Sequence, residues 1–106
     1  MEIPQDAGLR EISPWYNQNT IPRNLRVPSP MPAEIWGKVV VESGALEVAI
    51  NDGASTQVTP DNPAVVPPQK TLQILAPVGE VRFHIQYFHT PRFKDADSLA
   101  AAMIRA

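Results

Sequence analysis

The chain has 106 residues, a formal net charge of −2, 43% hydrophobic residues and no cysteine. That length makes a single domain. The charge excludes a polyanion-binding surface built on basic runs, and the lack of cysteine excludes disulfides, thiolate metal sites and thiol nucleophiles.

Residues 1–6 carry no basic start followed by an apolar stretch, so a signal peptide is not expected. No apolar run approaches the roughly 20 residues that span a bilayer. A cytoplasmic protein without membrane or nucleic-acid partners is the expectation. The 12 prolines are more than twice the usual share of about 5%. They cluster within 14–32 and 60–77 without forming a repeat. Proline fixes φ and removes a donor, so this spacing predicts a β-protein with stiff loops at strand ends and edges.

In chain order, residues 1–22 form a polar, proline-interrupted N-terminal arm that carries Trp15 and Tyr16. Residues 24–28 read as a short strand. Pro28-Ser29-Pro30-Met31-Pro32 is a stiff loop. The clearest β-run is 34–42, centred on Val39-Val40-Val41, whose branched side chains suit a pleated surface. Ser43-Gly44 predicts a turn. Residues 45–50 alternate, with Leu46, Val48 and Ile50 on one face. Asn51-Asp52-Gly53 is a hairpin signal, and 55–59 is the returning strand. Ala64-Val65-Val66 is a short strand ended by Pro67-Pro68. Residues 71–75 place Leu72 and Ile74 on one face. Pro77-Val78-Gly79 predicts a type II turn. Residues 80–88 are the last strand, with Val81, Phe83, Ile85 and Tyr87 in one phase. An alanine-rich helix is expected over 95–106, with Leu99, Met103 and Ile104 at helical spacing and Asp95 or Asp97 as its cap. Short strands, frequent turns and one terminal helix predict an all-β sandwich or barrel.

Candidate chemistry is sparse. The two histidines, His84 and His89, are five residues apart and point to opposite faces of a straight strand. His84 is either a sheet-face residue or a general acid/base with a near-neutral pKa; His89, at the strand end, reads as exposed. Glu34, Glu42, Glu47 and Glu80 fall on predicted strands, and no spacing forces a carboxylate dyad. Lys70 reads as solvent-facing. No Gly-x-Ser-x-Gly motif is present. The aromatics Trp15, Tyr16, Trp36, Phe83, Tyr87 and Phe88 are core or pocket lining. Trp36 stands beside Gly37, which allows another group close to the backbone.

Several stretches together resemble one family. They are Ser13-Pro14-Trp15-Tyr16-Asn17 with Thr20 and Pro22, then Trp36-Gly37-Lys38 running into Val41-Glu42-Ser43-Gly44-Ala45-Leu46, then Val66-Pro67-Pro68, and finally Phe83-His84-Ile85-Gln86-Tyr87-Phe88 before Pro91. In this order and spacing the chain resembles the TehB/YeaR-like domain family, small cupin-like β-barrels known from tellurite-resistance and nitrate-responsive bacterial proteins. The resemblance implies a double-stranded β-helix, or jelly-roll, barrel of two antiparallel sheets, followed here by the short C-terminal helix. It also implies a metal site held by histidines. In this chain those positions fall on Ser29 and on Leu72 (or Thr71), and neither leucine nor threonine replaces an imidazole as a ligand. The expectation is therefore a barrel without the metal and with no cofactor.

Three functions compete. The first is binding of a small, largely apolar molecule within the barrel, with Trp36, Leu72 and Tyr87 as walls and Gln86 or His84 as the polar handle. The second is a metal-independent enzyme of isomerase or lyase type, with His84, Tyr87 or Glu34 as acid/base. The third is an interaction subunit or homodimer, with exposed sheet edges and the terminal helix as docking elements.

Overall fold

The computed structural model describes residues 3–51, 53 and 55–90. Two long strands form its spine, β4 (Ile35–Ile50) and β7 (Thr71–His89). Five short strands attach to them: β1 (Gly8–Ile12), β2 (Tyr16–Asn17), β3 (Ser29–Pro30), β5 (Ser55–Val58) and β6 (Ala64–Val66). β4 and β7 pair antiparallel from Ile35↔His89 to Ile50↔Leu72. β1, β2 and β3 line up along the free side of β7, and β6 and β5 along the free side of β4.

The strands run through the positions where turns are predicted. Neither Ser43-Gly44 nor Pro77-Val78-Gly79 reverses the chain. Instead β4 and β7 carry register shifts there, between Val41 and Ser43 and between Ser43 and Ala45. Gly44 and Gly79 both take positive φ, 81° and 68°, and use their freedom for a bulge rather than a hairpin. The physical consequence is a change of phase. A one-residue slip moves every side chain to the other face of a strand. Val39 and Val41 face the core before the bulge, and Leu46 and Val48 face it after. The chain thus bends without turning its apolar face outward.

The predicted strand over 24–28 is replaced by a 3-10 turn at Arg23–Leu25, because the Leu25 N–H donates to the Pro22 carbonyl at 3.1 Å and the Arg26 N–H to the Arg23 carbonyl at 3.0 Å. That turn drops Leu25 into the core beside Ile21 and Met31. The interior itself is filled: Leu46, Val48, Leu72, Phe83 and Ile85 are fully buried, and Ile74 nearly so. Each such side chain contributes about 1.5–3 kcal/mol relative to exposure.

A closed barrel is not formed. No strand pairing among the described residues joins the β1/β2/β3 side to the β5/β6 side, so the antiparallel sheet stays open. The edge strands are only two to five residues long, too short to close it. The C-terminal helix expected at 95–106 lies outside the described residues. Among the described residues no helix is long and apolar enough to cross a membrane.

Candidate functional site

A bulge in the N-terminal arm builds one wall of a cavity. β1 pairs Leu9↔Phe88 and then Glu11↔Tyr87, with a register shift between them. Arg10 and Glu11 therefore sit together against Tyr87, and a bulge of this kind re-aims side chains at a sheet rim. The opposite wall is the turn leading into β4. There the Ile35 N–H donates to the Pro32 carbonyl at 3.1 Å. Glu34 holds φ at 70°, a left-handed conformation that is costly for a residue with a side chain. Its carbonyl accepts both the N–H and the hydroxyl of Thr90, at 3.1 and 3.2 Å, which fixes the turn to the end of β7.

Between these walls lies a cavity of about 490 Å³. Pro32, Ala33 and Ile35 line it from the β4 side, Arg10 and Glu11 from the β1 side, and Tyr87 and His89 from β7. Burial, then the neighbouring Tyr16 phenol and the Glu11 charge, push the Tyr87 phenol above its ordinary value of 10.0. It stays neutral near pH 7, able to donate and accept one hydrogen bond each. His89 Nε2 stands 4.0 Å from Glu34 Oε1, a loose ion pair when the imidazole is protonated.

The other face of the same strand carries a different cluster. The Trp15 ring stacks on His84, with centroids 4.0 Å apart and planes within 11°. The Arg82 guanidinium lies 4.6 Å from the Trp15 ring centroid and its Nε is 2.7 Å from Glu42 Oε1. Gln86 Nε2 is 3.3 Å from His84 Nε2. Beside this stack the Ser13 N–H donates to the Ile85 carbonyl, and the Ile85 N–H donates to the Ser13 hydroxyl, each at 2.8 Å. Burial lowers the His84 pKa from 6.5, against an opposing pull from Glu42. His84 is mostly neutral at pH 7 and serves as a platform for Trp15.

Of the residues singled out from the sequence, the structure brings Tyr87 and Glu34 to one place, Tyr87 in the cavity and Glu34 at its rim through His89. Trp36 pairs with Phe88 and Lys38 with Gln86 in the register that places Val40 opposite His84. Trp36, Gln86 and His84 thus share the face turned away from the cavity. Leu72 is fully buried in the core. Arg10, Glu11, Ile35 and His89 were not legible as a site. Phase alone groups 85, 87 and 89, but the arm's bulge and the left-handed Glu34 leave no mark in residue types.

The family-implied metal does not fit these residues. Ser29 and Leu72 are direct cross-strand partners in β3 and β7, so the two positions do share a place. The Ser29 hydroxyl is donated to the carbonyls of Asn24 at 2.6 Å and Val27 at 3.1 Å. Leu72 offers no donor atom. Among the described residues no group of three or more His, Cys, Asp or Glu converges.

An open antiparallel sheet folded around one filled core, with a cavity at its rim, defines a small all-β domain. The TehB-like domain model matches residues 12–85, and the chain belongs to that family. Solved structures share the fold. A protein from Escherichia coli strain K12 superposes with a TM-score of 0.76 at 20% identity, covering 87% of this chain and 99% of that one. TehB from Haemophilus influenzae superposes with a TM-score of 0.73 at 17% identity, covering 81% of this chain and 32% of that longer one. No curated protein matches the chain.

Proposed function

We propose that the protein is a binding module for a small, largely apolar molecule seated in the rim cavity, its polar end among the polar groups of Arg10, Glu11, Tyr87 and His89. The observation that carries this reading is the cavity itself. Its volume of about 490 Å³ falls in the roughly 300–1,000 Å³ of small-molecule sites. Pro32, Ala33, Ile35 and the Tyr87 ring supply apolar surface, and Arg10, Glu11, His89 and the Tyr87 hydroxyl supply its polar groups. The core side chains Leu46, Val48, Leu72, Phe83 and Ile85 are fully buried from solvent, which supports reading the rim rather than the core as the place of an occupant. The bend of β4 and β7 supports reading the fold as an opened form of the cupin-like jelly roll. A row of Leu9, Phe88 and Trp36 across β1, β7 and β4 on the outer face supports a homodimer, with Leu9 half exposed.

A second reading, a metal-independent acid/base enzyme, draws on the Glu34–His89 pair beside Tyr87. NMR titration with a mixture of small aromatic and aliphatic compounds tests the binding module. Shifts clustered on Ile35, Tyr87 and His89 are the expected result. Shifts confined to Trp15 and Trp36, or none at all, would overturn it.

A further inference from the structure

The charges around the cavity divide into a matched pair and an unmatched one. His89 faces Glu34 at 4.0 Å. Arg10 and Glu11 line the cavity from the bulge, and neither makes an ion pair among the described residues, with each other or with anything else. Both are solvated in the free protein. A ligand that fills the cavity strips water from both.

Removing water from an unpaired charge is costly. A purely apolar ligand leaves Arg10 and Glu11 uncompensated. A simple carboxylic acid matches Arg10 and sets its charge against Glu11. A simple amine matches Glu11 and sets its charge against Arg10. One arrangement leaves neither unmatched: a ligand with both charges close together at one end. The apolar surface of Pro32, Ala33, Ile35 and the Tyr87 ring then receives its other end.

We infer that the cavity takes a zwitterion with an apolar body, the chemical class of the neutral amino acids, its carboxylate on Arg10 and its ammonium on Glu11. Arg10 supplies the planar fork that suits a carboxylate. Tyr87, the cross-strand partner of Glu11 and a lining residue beside it, offers its hydroxyl to share in holding the ammonium. This inference rests on the binding-module reading and narrows it.

The test titrates the full chain by NMR with four probes of one shape. L-leucine carries both charges, isocaproate only the acid, isoamylamine only the amine, and isoamyl alcohol neither. Hydrogen bonds to charged groups are stronger than those between neutral ones, so leucine is expected to bind at least about tenfold more tightly than isocaproate or isoamylamine. Arg10→Gln should reduce leucine to the affinity of isoamylamine, and Glu11→Gln to that of isocaproate. Both positions are exposed, and an unchanged melting temperature confirms that the variants fold. Isocaproate or isoamylamine equalling leucine would overturn the zwitterion, as would either variant leaving leucine binding unchanged. Isoamyl alcohol matching leucine at Ile35 and Tyr87 would overturn it too while sustaining the binding module. No shift at the cavity with any probe would overturn both.

Discussion

Gly44 and Gly79 form a matched pair for measuring what the bend in the sheet requires. Both hold positive φ, 81° and 68°. An L side chain in that region costs about 1–2 kcal/mol, offset in part by the about 0.4–1 kcal/mol that alanine gains over glycine through the unfolded chain. For Gly79→Ala nothing more is added, since a Cβ there meets no atom within 4 Å. Its expected loss is about 1 kcal/mol. At Gly44 the new Cβ would run into the Glu80 carbonyl oxygen and crowd the Val81 Cα. Those are backbone atoms of the facing strand and cannot rotate aside. β7 would have to move between its pairings Ser43↔Arg82 and Ala45↔Val78. Overpacking of this kind adds about 1–3 kcal/mol, for a total of about 3 kcal/mol. With a shift of about 4–8 °C per kcal/mol in a domain of this size, Gly44→Ala should melt well over 10 °C lower. Urea denaturation followed by tryptophan fluorescence gives both values. Equal losses for the two variants would refute the reasoning, because the close approach of β4 to β7 would then carry no weight.

Three further outcomes follow from the same geometry. His84 is held below its ordinary pKa of 6.5 by burial, so the unfolded chain binds its proton more readily; stability from this residue is complete above pH 6.5 and falls as pH drops below it, and denaturation between pH 7.5 and 5 should show a slope that His84→Gln reduces. Leu72→Ala should cost about 2–5 kcal/mol as a filled core position and leave the cavity's ligand affinity intact in the folded protein. Tyr87→Phe should change stability by less than about 1.5 kcal/mol yet weaken that affinity; the reverse pattern in a paired stability and NMR titration would contradict the assignment of Tyr87 to the cavity.

Alternation made the strands legible where one face is buried. Val81, Phe83 and Ile85 lie on the core face as their spacing requires, and His84 and Tyr87 separate to opposite faces. The glycines were legible as special but not as to kind. Gly44 and Gly79 have the positive φ of a turn residue, and only the facing strand decides that they bend two continuous strands instead of reversing them. Residues 24–28 failed for a different reason. Their fate depends on local carbonyls, those of Pro22 and Arg23, and on a buried place for Leu25 that exists only once the sheet has folded. The barrel inferred by resemblance stays open because closure depends on edge pairing, which alternation within a strand does not report.

The site was harder to read because its two kinds of residue do different jobs. His84 and Gln86 read as candidate chemistry and Trp15 as core or pocket lining, yet all three belong to the cluster on the face turned away from the cavity. Their stack, with the paired Ser13–Ile85 hydrogen bonds, fastens the arm to β7. The residue just before that fastening, Ile12, pairs with Gln86 and begins the run that leads back through Glu11 and Arg10 to the cavity. The outer cluster therefore positions the cavity wall without touching its contents. Weakening the fastening should affect the cavity from a distance. Trp15→Ala removes the ring from His84 and from Arg82 and leaves every lining side chain in place. Hydrogen exchange at Glu11 and Ile12 should then quicken relative to the amides of Val39 and Ile85 in the core, since local opening follows the loss of packing. Unchanged exchange along β1 would mean that backbone pairing with β7 holds the arm by itself, and the wall carrying Arg10 and Glu11 would owe nothing to the aromatic stack behind it.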